Sequence, residues 1–372
     1  MGMTLQEQYA KIAENVVGKS LGVKPGEQVR IWTWEHSLDV AGEFLHAVRK
    51  RGANPVIQVN LADPYYRGLR ELDVRTLKAS KDRFGRAFAN AEDVEISFAG
   101  PRDPGVFKDV PYDKMRAAWD QKENKAIEKI TKRRRVRSTY LSFTQATPER
   151  ALAYGLDFHE WQESALGAMS ATPEEFARAA KPLQEALRKG KKAVVRSADG
   201  SELKFDLAGR KAVLDDGVLR KEDVKRGDSF VHLPAGTLFF APKEGSFEGR
   251  ISHDLPQASR ARWIRGVWSE VDGGKVTRFG AKELEDELRA SIEPKDMKRL
   301  RVSYLSIGMN PLAHAGFLDN QMASGVIGVH CGDNDTFGGT IKGTDTNFGG
   351  FSARATLEVD GRTLVNEGRL AV

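Results

Sequence analysis

Cysteine is nearly absent from this chain of 372 residues: Cys331 stands alone. A single thiol cannot close an intrachain disulfide or build a cysteine-rich zinc site, and a cytoplasmic protein is the simplest expectation. No run of 18 or more apolar residues occurs, so no membrane-spanning helix is expected. The opening Met1-Gly2-Met3-Thr4-Leu5-Gln6-Glu7 has neither the basic nor the apolar region of a signal peptide. Gln6 also stands where a myristoylation signal carries Ser or Thr. Internal repeats, low-complexity segments and nucleic-acid-binding motifs are lacking too. What is left, 40% hydrophobic and 30% charged, has the balance of a globular chain, and its length calls for two domains.

The net charge of +6 is spread along the chain except for one dense cluster, Lys132-Arg133-Arg134-Arg135-Val136-Arg137. Lys122, Glu123, Lys125, Glu128 and Lys129 precede it with the mixed signs of a solvated helix. Cations at a helix C-terminus complement its dipole, and that reading outweighs an acidic peptide partner.

The first sixty residues alternate helix, strand, helix, strand. Tyr9, Ile12, Ala13, Val16 and Val17 keep helical spacing, and Lys24-Pro25-Gly26-Glu27 turns the chain. A strand is expected over Gln28 to Trp34, a helix over Leu38 to Arg51 closed by Gly52, and a strand again from Pro55 to Val59. Short connections between such elements imply parallel pairing. Further strands are expected at Ile96 to Pro101 and Ser138 to Phe143, with a long polar helix over Ala117 to Arg134 between them. Thr147-Pro148 and Thr172-Pro173 both place an N-cap before a first-turn proline, the second helix running to Lys189. Past Gly190 the texture changes to strands and Asp-Gly turns at Asp199, Asp216, Asp272 and Asp360, with one more helix at Ala281 to Ile292. The expectation is an α/β fold: an N-terminal α/β domain with a parallel sheet over residues 1–190, and a β-rich domain over 191–372.

Five stretches in order resemble the thermophilic metalloaminopeptidase family of the aminopeptidase T and aminopeptidase S type. They are Lys24 to Val29, Tyr154 to Trp161, Leu233 to Gly236 with Ala241 to Arg250, Ser306 to Pro311, and Leu357 to Gly368. The resemblance implies an aminopeptidase T-like fold, a homodimer, and a pair of metal ions that clamp a peptide carbonyl and generate hydroxide. It also implies a ligand set, of which Glu244 matches the first member. Where a second glutamate is expected, the chain has Asp319-Asn320-Gln321. Gly328 falls where a histidine is expected, and Asn347 and Gly349 fall on the closing His and Asp. One of five alignable ligands therefore remains, and amides and glycines do not hold a divalent pair.

Other constellations compete. A strand slipped by two residues keeps its face, so Glu244, His330, Asp333 and Asp345 form a candidate displaced metal site. His232, His253 and His314 with His330, Asp333 and Asp335 offer the two histidines and a carboxylate of a mononuclear iron dioxygenase. Gly332 to Gly339 has the acidity of a calcium loop but not its distal glutamate, and a turn is expected. Adjacent His330 and Cys331 point to opposite faces of a strand, which disfavours a thiol–imidazole pair. Lys243 and the glycine-rich stretch Gly338 to Gly350 suit close approach of a peptide backbone.

The sequence thus predicts a metal-independent peptide-binding protein on an aminopeptidase scaffold, needing no cofactor, with Glu244, Asn320, His330 and Asn347 lining the relict site. A precursor peptide of natural-product biosynthesis is the expected cargo, presented for tailoring or assisted in a step such as cyclisation. Neither nucleic acid nor membrane is an expected partner. Should chemistry remain, Glu244 is the candidate base, its carboxyl pKa raised by burial. The alternative is an enzyme with a rearranged metal site, either aminopeptidase or mononuclear iron dioxygenase.

Overall fold

A computed structural model of the chain describes residues 3–371 apart from 80, 120, 121, 293, 319, 320 and 344–347. The chain forms two compact units. One comprises Met1–Ser170 with Gly217–Pro234, the other Ala171–Asp216 with Ala235–Val372. A single crossing near residue 190 was expected; the chain instead changes unit three times. The helix Pro173–Lys189 belongs to the second unit, and a strand from beyond residue 190 returns to the first. Local patterning cannot reveal this, because a strand's alternation does not say which sheet it joins.

The N-terminal unit is built on five parallel strands: β1 (Gln28–Trp34), β2 (Asn54–Asn60), β3 (Val94–Phe98), β4 (Arg137–Leu141) and β8 (Phe230–Leu233), in the order β2-β1-β3-β4-β8. Strand order reverses between β1 and β3, since β1 leads outward to β2 while β3 leads the other way through β4 to β8. Both faces of such a sheet must be covered. The helix Leu38–Lys50 buries Val40, Ala41, Phe44, Ala47 and Val48 at helical spacing, and Phe44 meets Phe98 edge to face at 5.2 Å. Thr147 caps the helix Pro148–Tyr154 by accepting from the Arg150 amide, and Gly155 ends it in the left-handed conformation.

The expected helix over 117–134 is described as two, Tyr112–Trp119 and Lys122–Arg134. Lys132, Arg133 and Arg134 occupy the last turn of the second. Lys132 pairs with Glu128, Arg134 with Asp93, and Arg137 with Glu27. The cluster ends a helix, as its neighbours' mixed charges implied.

The C-terminal unit is antiparallel. One sheet has the order β17-β16-β15-β9-β7, with β7 (Val213–Asp215), β9 (Thr237–Phe240), β15 (Val302–Gly308), β16 (Ile327–Cys331) and β17 (Phe348–Ser352). The other has eight strands in the order β14-β13-β10-β6-β5-β18-β19-β20. These are β5 (Lys192–Arg196), β6 (Glu202–Asp206), β10 (Glu248–Ser252), β13 (Trp268–Asp272), β14 (Lys275–Gly280), β18 (Thr356–Val359), β19 (Arg362–Asn366) and β20 (Arg369–Leu370). A small hairpin joins β11 (Gln257–Ser259) and β12 (Arg262–Ile264). Val195, Leu203, Leu238, Ile251 and Leu357 are buried in this unit, where Phe205 packs on Phe247 at 5.1 Å. The architecture is the α/β fold anticipated, a parallel N-terminal sheet followed by antiparallel sheets.

Candidate functional site

Strand parity decides which side chains of the five-stranded sheet can meet. In the antiparallel register, Tyr304 lies opposite His330, Ser306 opposite Gly328, and Phe239 opposite Ser306. Gly349 lies opposite His330 and Phe351 opposite Gly328. Residues directly opposite share a face, so His330, Tyr304, Ser306, Phe239 and Phe351 form one surface. The His330 ring stacks on Tyr304 at 4.7 Å and meets Phe351 edge-on at 5.2 Å. Phe337 extends the patch, 4.7 Å from Phe239 and 5.0 Å from Tyr304. These four flanking aromatics are half-buried.

His330 itself is buried, and its Nε2 shares a 3.0 Å hydrogen bond with Ser306 Oγ. Burial, with His253 adding to it, depresses its pKa to about 3, so the ring is neutral. Position 328 is closed by that ring. A Cβ on Gly328 would lie 2.3 Å from His330 Nε2 and 2.3 Å from Ser306 Oγ. The imidazole of this face therefore comes from residue 330 and fills the space a side chain at 328 would need. Gly349 is equally restricted, since a Cβ there would lie 2.1 Å from the Val329 carbonyl oxygen.

His253 approaches the same sheet from its other face. Its Nδ1 is 3.3 Å from Ser352 Oγ, and a Cβ on Gly350 would strike its ring; Ser352 and Gly350 alternate with Phe351 and Gly349. Burial pushes its pKa down to about 4. His330 and His253 thus lie on opposite faces and cannot serve one ion together. Cys331 also faces away from His330, and burial drives its thiol pKa far upward. His232 is in β8 of the other unit, stacked on Tyr140 at 5.5 Å. His314 is exposed. The histidines grouped from sequence are dispersed.

Glu244 follows β9 and is committed to a guanidinium. Arg210 Nη1 donates to Oε1 at 2.9 Å and Nη2 to Oε2 at 2.6 Å, a fork on fork. Arg210 is itself fixed by the Pro242 and Ala241 carbonyls, at 2.8 and 3.3 Å. Glu244 Oε1 also accepts from the Thr340 amide at 2.8 Å and from Asn334 Nδ2 at 3.3 Å. Burial works to raise this carboxyl, as expected from sequence, but the Arg210 fork and the Thr340 amide outweigh it and hold the pKa at about 2. A base near neutrality was expected at this position; a firmly ionised, fully engaged carboxylate is found.

Fully buried Asn334 ties the loop together. Its Nδ2 reaches the Ser303 carbonyl at 3.0 Å, and its Oδ1 accepts from the Ile341 amide at 2.8 Å. Asp333 accepts from the Gly343 amide at 2.9 Å, and Asp335 pairs with Lys342 at 3.3 Å. The acidic stretch is therefore a closed turn, its carboxylates facing its own amides and lysine.

Asn320, Asn347, Asp319 and Asp345 lie outside the described residues. Among the described residues, no three His, Cys, Asp or Glu side chains converge as metal ligands. Neither Arg210 nor Asn334 was expected from sequence. Arg210 is 34 residues from Glu244, and nothing in Gly209-Arg210-Lys211 distinguishes it from a surface cation. A depression of about 470 Å³ on the eight-stranded sheet, lined by Lys192, Lys204, Phe205 and Glu358 among others, contains none of the expected site residues. Chemically, the described residues of the region offer hydrogen bonds and aromatic surface, around a carboxylate held by Arg210 and a neutral imidazole.

Among curated proteins no sequence match is found. The chain is similar in structure to wild-type AmpT from Thermus thermophilus, with a TM-score of 0.72 and 16% identity over 99% of this chain and 100% of that one. It is also similar to the 2,5-dihydroxypyridine dioxygenase from Pseudomonas putida KT2440, with a TM-score of 0.59 and 16% identity over 100% and 99% of the two chains. At such identities these likenesses establish the fold. The sequence model of the thermophilic metalloprotease family (M29) matches residues 5–300, most of the chain, and the protein belongs to that family.

Proposed function

We propose that this protein is a metal-independent peptide-binding member of the family, holding a peptide through the region around Glu244 and His330. The observation that carries the reading is the Arg210–Glu244 fork. A divalent ion on Glu244 would have to displace a guanidinium that has no other carboxylate partner among the described residues, or sit beside its positive charge. Neither is favourable at a half-buried site. The residues present at Glu244 and His330 do not fit a shared metal pair, and no catalytic step is assigned to one. What they do suit is recognition: half-buried aromatic rings for apolar side chains, with polar groups at the margin. A precursor peptide awaiting tailoring is the first cargo to try, and the homodimer implied by the family is checked by light scattering on the same sample.

Metal content by mass spectrometry tests the reading, on protein purified without chelator and incubated with zinc, cobalt and ferrous iron. Less than about a tenth of an equivalent of each metal is expected. One or two tightly held equivalents would overturn it.

A second reading rests on the His330 ring lying over Gly328. An imidazole supplied from two residues further on keeps the face, so a mononuclear site with a displaced ligand set is its natural form. One equivalent of iron, lost in His330→Ala, would establish that reading instead.

A further inference from the structure

The N-terminal unit holds a second cluster that the reading above does not use. Its parallel strands end together at His36 after β1, Gly100 after β3 and Ser142 after β4. Strand order reverses between β1 and β3, and the strand ends at such a reversal are the usual place for a ligand in an open α/β sheet. Arg150, on the helix Pro148–Tyr154, is directed there and is only 5% exposed. Its Nε donates to the Pro101 carbonyl at 2.9 Å, and its Nη2 lies against Gly100, 2.4 Å from where a Cβ would stand. Among the described residues neither Nη has a hydrogen-bond partner and no carboxylate pairs with the guanidinium. An arginine this deeply buried ordinarily has a paired anion.

Two acceptors near it are also unsatisfied. His36 Nε2 faces the Thr144 carbonyl at 3.4 Å and so carries the proton, which leaves Nδ1 as an acceptor; Nδ1 is buried without a partner. Glu149 Oε1 pairs with Arg102 Nε at 2.9 Å, while its Oε2 is buried and has no partner among the described residues. Arg150 acts electrostatically on His36, and His36 on Glu149. Tyr154, Tyr140 and Tyr66 also act electrostatically on the same guanidinium.

We propose that this edge is a binding site for an α-amino carboxylate or the C-terminal residue of a peptide. The carboxylate takes the free fork of Arg150; an adjoining α-ammonium donates to both His36 Nδ1 and Glu149 Oε2, and a peptide N–H to one of them. A singly charged, planar anion matches the guanidinium. Glu149 and Asp103 nearby disfavour a phosphate dianion. The site lies wholly within the N-terminal unit and stands independently of the role assigned to Glu244.

Calorimetric titration of the full chain tests it, with leucine, leucinamide, the tripeptide Ala-Ala-Leu, its C-terminal amide and inorganic phosphate as probes. Saturable binding of leucine or the free-acid tripeptide is expected, with both amides at least about tenfold weaker. Tighter binding of the tripeptide assigns the site to a peptide end, and tighter binding of leucine to a free amino acid. Arg150→Lys keeps the charge but loses the fork, and a weakening of about tenfold or more is expected. The proposal is overturned by amides that bind as well as acids, by phosphate binding more tightly than either acid, by an unchanged Arg150→Lys, or by no saturable binding up to about 10 mM. The comparison of acid with amide uses the unaltered protein and decides the matter even if the variant fails to fold.

Discussion

Removing Arg210 should destabilise the C-terminal unit at neutral pH and do progressively less harm in acid. Arg210→Met takes away both arms of the fork on Glu244 and two bonds to the Ala241 and Pro242 carbonyls. Both side chains of the pair are 22% exposed, neither on the open surface nor in the deep interior. Charge-assisted bonds contribute about 1.5–3 kcal/mol net, and a carboxylate stripped of its cation keeps its desolvation cost. A loss of about 2–4 kcal/mol follows, which moves a urea midpoint by about 1 M at an m-value near the top of the usual range. The Glu244 pKa of about 2 lies below its ordinary 4.5, so the folded state binds this proton less readily than the unfolded chain. Its contribution is complete above about pH 4.5 and fades as pH falls toward about 2. The wild type and Arg210→Met should therefore converge over that window. Urea unfolding followed by tryptophan fluorescence, at pH 7 and in steps to pH 3, reads the difference. Arg210→Met combined with Glu244→Leu should recover much of the loss, because removing both partners leaves no orphaned charge. An Arg210→Met midpoint equal to wild type at pH 7, or a gap that persists undiminished at pH 3, would refute the reasoning.

Three further outcomes are expected. His253 and His330 are held neutral with pKa values depressed to about 4 and 3, whereas the unfolded chain takes up both protons below about 6.5; stability should fall from about pH 6.5 downward, by up to about 1.4 kcal/mol per pH unit for each ring. Thermal melts between pH 7 and 4.5 check this, and His330→Phe should flatten part of the slope. Gly328→Ala should cost about 2–4 kcal/mol or expel the His330 ring from Ser306, visible as a His330 proton resonance that titrates near its ordinary pKa. Tyr304→Ala, which removes the ring beneath His330, should weaken any peptide bound at this face by about tenfold or more, against near-unchanged binding for Lys204→Ala in the depression on the other sheet.

Several strands and helices of both units were legible because their signals are local. Thr147-Pro148 and Thr172-Pro173 start helices where they stand, and the stripe from Val40 to Val48 is buried at its spacing. The membership of Phe230–Leu233 in the parallel sheet was not, because pairing with β4 depends on residues some ninety positions away. The surroundings of Glu244 and His330 were not legible in the sequence. The pKa of a carboxyl depends on which cation the fold brings to it, and Arg210 arrives from a segment with no distinguishing pattern. The exclusion of a His330–Cys331 pair, by contrast, needed only the alternation of a strand.

A guanidinium beside Glu244 separates two tasks that a metal ion performs together. One is structural: a cation neutralises the carboxylate and lets the surrounding loop close. Arg210 does this here, and with Asn334 and the Thr340 amide it fixes residues 332–343 against Glu244. The other is chemical: a divalent ion withdraws electrons from bound water and polarises a carbonyl. A guanidinium cannot, because it offers hydrogen bonds and charge but no coordination site. A fold can therefore keep its loop, its sheet face and its aromatic surface after such an exchange while losing Lewis acidity. Under the metal-independent reading, that is why a peptide would still be held at this face and left uncut. Arg210→Met alone should not restore hydrolysis, since it frees one carboxylate without supplying the rest of a ligand set. Peptide cleavage by that variant in the presence of zinc or cobalt would show that the remaining ligands are in place and that Arg210 only occupies their site.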